Sequence, residues 1–163
     1  MSAIDELLAN NRAVAASLPV RHLDVRPRRR LAIITCMDSR LDVFNALGLG
    51  EGEVHILRNA GGVITDDEIR SLAISQNLLG TKEIILIHHT DCGMLTFTDD
   101  QFKQQLKEST GEEPSWSAEA FSDLDQDVRD SIERIKSSPF IPHKDGIRGF
   151  VYEVESGKLR EVS

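Results

Sequence analysis

Three short runs dominated by aliphatic residues constrain this chain more than anything else in it: Leu31-Ala-Ile-Ile-Thr35, Val54-His-Ile-Leu57 and Glu83-Ile-Ile-Leu-Ile87. The first and third show no polar alternation, so they predict strands covered on both faces, as in a parallel sheet. Between them lie segments with the punctuation of helices. Residues 41–47 predict a short helix stopped by Gly48 or Gly50. Thr65-Asp-Asp-Glu68 is a capping box that starts a helix through Ile69, Leu72, Ala73, Gln76 and Leu79, with Gly80 at its C-terminal end. Strand, helix, strand, helix, strand is the signature of an α/β fold. Its crossovers are right-handed, and its ligands sit beyond the carboxyl ends of the strands.

The flanks complete a single domain over residues 1–163. Ile4, Leu7, Leu8 and Val14 give residues 4–17 a helical pattern within an N-terminal segment 1–18, and Pro19 and Pro27 then mark an irregular connection. Thr98-Asp-Asp-Gln101 is a second capping box and opens a helix to about Ser109. A further helix is expected over 118–137, with Leu124, Val128, Ile132 and Ile135 on one face. Arg148 to Val154 and Lys158 to Val162 read as strands about the Ser156-Gly157 turn. The expected architecture is a mainly parallel central sheet flanked by helices, with an antiparallel C-terminal strand pair.

Composition narrows the partners. A formal net charge of −8 gives no general attraction to nucleic acid or acidic membranes. The local exception, Arg26, Arg28, Arg29 and Arg30, reads as a solvated loop or a contact with an acidic face of another subunit. No run approaches the ~18 apolar residues of a membrane span, and the N-terminus lacks the basic start and apolar stretch of a signal peptide, so a cytoplasmic location is expected. In that compartment a static disulfide between the two cysteines, Cys36 and Cys92, is not expected.

Those cysteines stand where an α/β fold keeps its chemistry. Cys36 immediately follows the first strand, and His89-Thr-Asp-Cys92 follows the third. If the two strands are neighbours, Cys36, His89 and Cys92 converge, and two thiolates with one imidazole are a preferred zinc environment. A buried cysteine is more commonly a small core hydrophobe, so it is the placement at two strand ends that favours a metal. Three protein ligands leave a fourth position open, the mark of a catalytic ion. Asp38 and Arg40 lie on the same loop as Cys36. Two arrangements are open to Asp38: paired bidentately with Arg40, it orients water beside the ion; swung away, it becomes the fourth ligand and closes the site. Gly61 and Gly62, in the turn after the second strand, suit either a close backbone approach to a small ligand or a turn that needs positive φ. Asp123, Asp125 and Asp127 have the spacing of a calcium loop, but Val128 replaces its glycine and Arg134 its bidentate glutamate.

Cys36-Met-Asp-Ser-Arg40, Arg58-Asn-Ala-Gly-Gly62 and His89-Thr-Asp-Cys-Gly93 resemble, in order and separation, the three signature blocks of the β-class carbonic anhydrases, in their compact bacterial and archaeal branch. The likeness runs from about Leu31 to Phe97. It implies reversible hydration of carbon dioxide to bicarbonate and a proton, one zinc ion per subunit on Cys36, His89 and Cys92, and Asp38 with Arg40 as the catalytic dyad. It also implies a homodimer or higher homo-oligomer with the N-terminal helix packed on the partner, while the charge and the lack of an apolar span leave no nucleic-acid or membrane partner expected. Other hydrolases of small heterocumulenes, such as carbonyl sulfide or carbon disulfide, are the nearest alternative, and a silent protein closed by Asp38 is another. Bicarbonate-regulated members carry a tryptophan shortly before the first cysteine, whereas here that strand is Leu-Ala-Ile-Ile and the single tryptophan is Trp116, which favours the open form. His88 adds a second imidazole beside the ligand. Only His89 keeps the H-x-x-C spacing, and His88 is expected on the other side of the strand. A proton-shuttle role for His88 or His55 is the minor reading.

Overall fold

The computed structural model describes residues 2–163. Its centre is a five-stranded sheet in the order β2-β1-β3-β4-β5, built from β1 (Leu31–Cys36), β2 (His55–Asn59), β3 (Glu83–His89), β4 (Ile147–Tyr152) and β5 (Leu159–Val162). The first four are parallel, and β5 closes the sheet antiparallel to β4. The first and third aliphatic runs thus occupy the inner positions β1 and β3, as their lack of alternation predicts, while the second forms the edge strand β2. On β1, Ala32 and Ile34 face a core with Leu72, Leu86 and Ile135, while Ile33 faces Leu41, Val43 and Ile87 on the other side. Both faces are covered because each parallel connection lays a helix on the sheet.

The helices are α1 (Ala3–Ser17), α2 (Val43–Leu47), α3 (Asp66–Asn77), α4 (Asp99–Thr110) and α5 (Leu124–Ser137). Both expected capping boxes form, at Thr65 with Glu68 and at Thr98 with Gln101. Gly48 takes the left-handed conformation that ends α2, at φ 62°. Gly80 does not cap α3: the helix ends at Asn77, and Thr81 N–H returns to the Ser75 carbonyl while the two hydroxyls bond at 2.7 Å.

The larger departure is at residues 118–123, which are not helical. The Asp99 carboxylate accepts the amides of Glu119 at 3.3 Å and Ala120 at 2.8 Å, together with the Ser117 hydroxyl. Amides captured in this way are withdrawn from a helix, and Glu119 is held at φ 59°. α5 starts only after Asp123, whose side chain accepts from Gln126 N–H at 3.0 Å. The basic cluster is partly neutralised within the chain, since Arg28 and Arg29 converge on Glu53 and Arg30 Nε donates to the Gly80 carbonyl.

Consecutive residues of a strand face opposite ways, so His88 and His89 at the end of β3 part company. At the other extreme of the chain, α1 buries none of its residues, and Ile4, Leu7, Leu8 and Val14 are each more than half exposed along it.

Candidate active site

The parallel register puts the ends of β1, β2 and β3 together: Cys36 pairs with Asn59, and Thr35 with Ile87. The Thr35 hydroxyl donates to the Ile87 carbonyl at 2.8 Å inside the sheet, fixing the two central strands against each other just below the site. As a result Cys36, His89 and Cys92, all buried, bring their ligand atoms within 4.8 Å of one another, the one such group of three among the described residues.

The donor set fits a zinc ion. The His89 Nδ1 faces the Thr90 carbonyl at 2.8 Å. A carbonyl only accepts, so Nδ1 carries the proton and Nε2 presents its lone pair; this is how ligand histidines are oriented. That Nε2 is buried and has no hydrogen-bond partner, a costly state for a polar atom unless it has a ligand to meet. The thiols differ. The Cys92 thiol beside it holds Cys36 well below the usual thiol range, helped by His89 and by the backbone N–H groups of Asp38 and Gly61. The same contact, together with burial, pushes Cys92 up. A dication held by Cys36, His89 and Cys92 would take the place of the thiol proton and keep both sulfurs ionised. Burial disfavours the His89 imidazolium, but the neighbouring Cys36 sulfur and the Thr90 carbonyl outweigh it and raise His89.

Asp38 is turned onto Arg40. Its Oδ1 accepts from the Arg40 backbone N–H at 2.9 Å and Nε at 3.0 Å, and its Oδ2 from Nη2 at 2.8 Å. The Arg40 side chain, then its backbone N–H, hold the Asp38 carboxyl far below the usual carboxylate range, and Asp38 in turn raises Arg40. Asp38 Oδ2 lies 3.7 Å from His89 Nε2, at the edge of the ligand cluster.

Two residues that sequence reasoning left without a role hold this arrangement. Arg58 Nε donates to the Cys36 carbonyl at 2.9 Å and its Nη2 to the Asp38 carbonyl at 2.7 Å, which pins the loop that carries both. Asp91 accepts from Arg40. Their signal was a charge inside each motif: Arg58 opens the second block, and Asp91 stands between two ligands. His88 faces α5 as expected, its Nε2 2.6 Å from Asp127 Oδ2 and its ring 5.5 Å from that of Phe121. His55 Nδ1 meets the Ser75 hydroxyl at 2.8 Å.

The glycine turn closes the site from β2. Gly61 and Gly62 have φ of 88° and 70°. A Cβ on Gly62 would come within 2.9 Å of both Cys36 N and the Thr35 carbonyl carbon, and one on Gly61 within 3.0 Å of Met94 Cγ. The close approach at Gly62 is therefore to the backbone of β1 itself. Gly62→Ala is expected to lose about 2–4 kcal/mol of stability, from the positive φ and the overpacking together. Gly80→Ala, with φ 79° but nothing within 4 Å of the added carbon, should lose only the conformational part, about 1 kcal/mol. Equal losses in urea unfolding would remove the steric argument.

Known proteins can be set against this geometry. The sequence pattern of the carbonic anhydrase family matches residues 31–159. Beta-carbonic anhydrase 1 of Mycobacterium tuberculosis is 54% identical over 163 residues, covering 100% of this chain and 99% of that protein. The carbon disulfide hydrolase of Saccharolobus solfataricus is 41% identical over 158 residues, covering 82% of this chain and 77% of the relative. The solved structure of a carbonic anhydrase from Streptococcus mutans superposes with a TM-score of 0.95 at 47% identity, covering 100% of this chain and 99% of that one. The match therefore spans both the sheet and the three strand ends that converge on the Cys36 site. The chain belongs to the β-carbonic anhydrase family.

Proposed function

We propose that this protein catalyses the reversible hydration of carbon dioxide to bicarbonate and a proton, with one zinc ion per subunit held by Cys36, His89 and Cys92. The observation that carries this reading is the unpartnered His89 Nε2 facing two thiol sulfurs, with the Asp38–Arg40 pair alongside. Zinc bound there supplies Lewis acidity, which makes water nucleophilic near neutral pH.

The chain's own groups supply orientation. Both acceptor positions of Asp38 Oδ1 are taken by Arg40, whereas Oδ2 has one bond to Arg40 and a second lone pair free at the edge of the ligand cluster. That lone pair accepts a hydrogen bond from the attacking water and aims its oxygen at the carbon of carbon dioxide. Arg40 keeps Asp38 ionised and so acceptor-only. Gly61 and Gly62 form the substrate-binding wall. Gly62 packs directly on the backbone of Thr35 and Cys36 and so holds this turn against the site, and the Gly61 N–H also stabilises the Cys36 thiolate. The proton leaves to solvent and buffer.

Hydrolysis of carbon disulfide is the lesser reading, favoured by the likeness to the Saccharolobus solfataricus enzyme. A closed, silent site is disfavoured by Asp38 being taken up by Arg40. Stopped-flow hydration of carbon dioxide from about pH 6 to 9, with zinc measured in the same sample, tests the proposal. Turnover rising with zinc content is expected. A fully zinc-loaded protein that releases sulfide from carbon disulfide but leaves carbon dioxide untouched would overturn it.

The working unit is a homodimer. A 15-residue helix such as α1 is marginal by itself, and its exposed Ile4, Leu7, Leu8 and Val14 ask for a cover that a second copy provides. No helix among the described residues is long and apolar enough to cross a membrane. The proposed location is the cytoplasm, where two unpaired cysteines stay reduced and free to act as ligands.

A further inference from the structure

The Arg40 guanidinium is held from two sides. Its Nε and Nη2 grip Asp38, two residues away on the same loop. Its Nη1 donates to Asp91 Oδ2 at 2.7 Å, and Nη2 also donates to the Asp91 carbonyl at 2.9 Å. Asp91 belongs to the other loop, the one that carries His89 and Cys92. The Asp38–Arg40 grip alone is local, and the two side chains can swing together as a unit. The Asp91 contacts tie that unit to the ligand loop.

The backbone at Asp91 is shaped for this. Its φ is 55°, a left-handed conformation that glycine adopts freely and aspartate tolerates. In that conformation the carbonyl and the carboxylate of one residue both meet the same guanidinium. Asp91 is exposed, and an exposed ion pair adds little to stability. Its geometry, by contrast, decides where Arg40, and through it Asp38, can sit.

We propose that Asp91 is a positioning residue for the reaction: it clamps Arg40 onto the loop of His89 and Cys92 and so sets the Asp38 carboxylate at its 3.7 Å station beside the His89 Nε2. This rests on the carbon dioxide hydration proposed above. The geometry separates three substitutions. Asp91→Gly keeps the backbone conformation and loses the carboxylate. Asp91→Asn tolerates the same conformation and keeps an oxygen that accepts from Nη1. Arg40→Lys identifies the Arg40 Nε–H resonance by its disappearance.

The experiment is run on the zinc-loaded full chain, with zinc content, kcat, KM and the Arg40 Nε–H signal in proton–nitrogen spectra read for each variant. Asp91→Gly is expected to keep its zinc, to broaden or lose the Nε–H signal, and to drop about tenfold in kcat with KM little changed, the size of effect a small misplacement produces. Asp91→Asn is expected to recover both the signal and most of kcat. An Asp91→Gly protein with an intact signal and unchanged kcat overturns the proposal, as does an Asp91→Asn protein that recovers neither. If the wild type hydrates no carbon dioxide, the assigned reaction fails, and the Nε–H signal still decides whether Asp91 clamps Arg40.

Discussion

His89→Ala is expected to lose zinc and to bring carbon dioxide hydration down to background, while His88→Ala keeps both. The two histidines are neighbours, both buried, and chemically the same. Only their faces differ. His89 has its Nδ1 committed to the Thr90 carbonyl and its Nε2 free among the sulfurs, so its removal deletes the single nitrogen donor of the site. Disturbing merely the partner that orients such a ligand costs about 10–100-fold in metal affinity, and deleting the ligand costs more. His88 has its Nε2 on Asp127, in the packing of α5 against the sheet. His88→Ala should therefore be a stability mutant, losing about 2–4 kcal/mol through the cavity and the orphaned carboxylate. Zinc by elemental analysis and urea unfolding on both variants check the contrast. Zinc retained by His89→Ala, or lost from a folded His88→Ala, would show that the wrong imidazole has been assigned.

Asp38→Ala is the second large effect, and of the opposite kind: zinc stays and turnover falls. The carboxylate contributes no ligand atom to the Cys36, His89 and Cys92 group, so the metal should remain at wild-type content. What goes is the acceptor that aims the attacking water, and positioned groups of this sort are worth about 10²–10⁴ in rate. Arg40→Ala should follow, since Asp38 Oδ1 then loses its Nε bond and Oδ2 its Nη2 bond. Arg40→Lys should recover little, because a lysine ammonium cannot reproduce two parallel bonds to one carboxylate. Stopped-flow turnover at matched zinc content is the measurement, and near-normal turnover in Asp38→Ala would remove the residue from the mechanism.

Much of the fold and of the site was legible in the sequence because it is encoded locally. The aliphatic runs at 31–35 and 83–87 carry no polar alternation, and they became the two central parallel strands. The i, i+3 spacing of His89 and Cys92 and the alternation of a strand together separate His89 from His88 without any three-dimensional information. What was not legible depends on residues far apart in sequence. The helix expected from 118 begins only at Leu124, because Asp99, some twenty positions earlier, captures the amides of Glu119 and Ala120. The meeting of Arg40 with Asp91 joins two loops that become neighbours only once β1 lies beside β3. Gly62 could be named as a special glycine from its motif, but not what it approaches, which is the backbone of β1 at Thr35 and Cys36. The N-terminal pattern did give a helix, yet α1 finds no core to join within its own chain.

Cys36 and His89 cap the ends of β1 and β3, the two strands locked by the buried Thr35 bond to Ile87. They are more than fifty positions apart along the chain. An ion shared between them, as proposed, would be in effect a reversible cross-link that closes a long loop through the middle of the sheet. Removing the metal would then do more than silence the reaction: it would untie the central strands from each other and give the chain back the freedom that the closed loop had denied it.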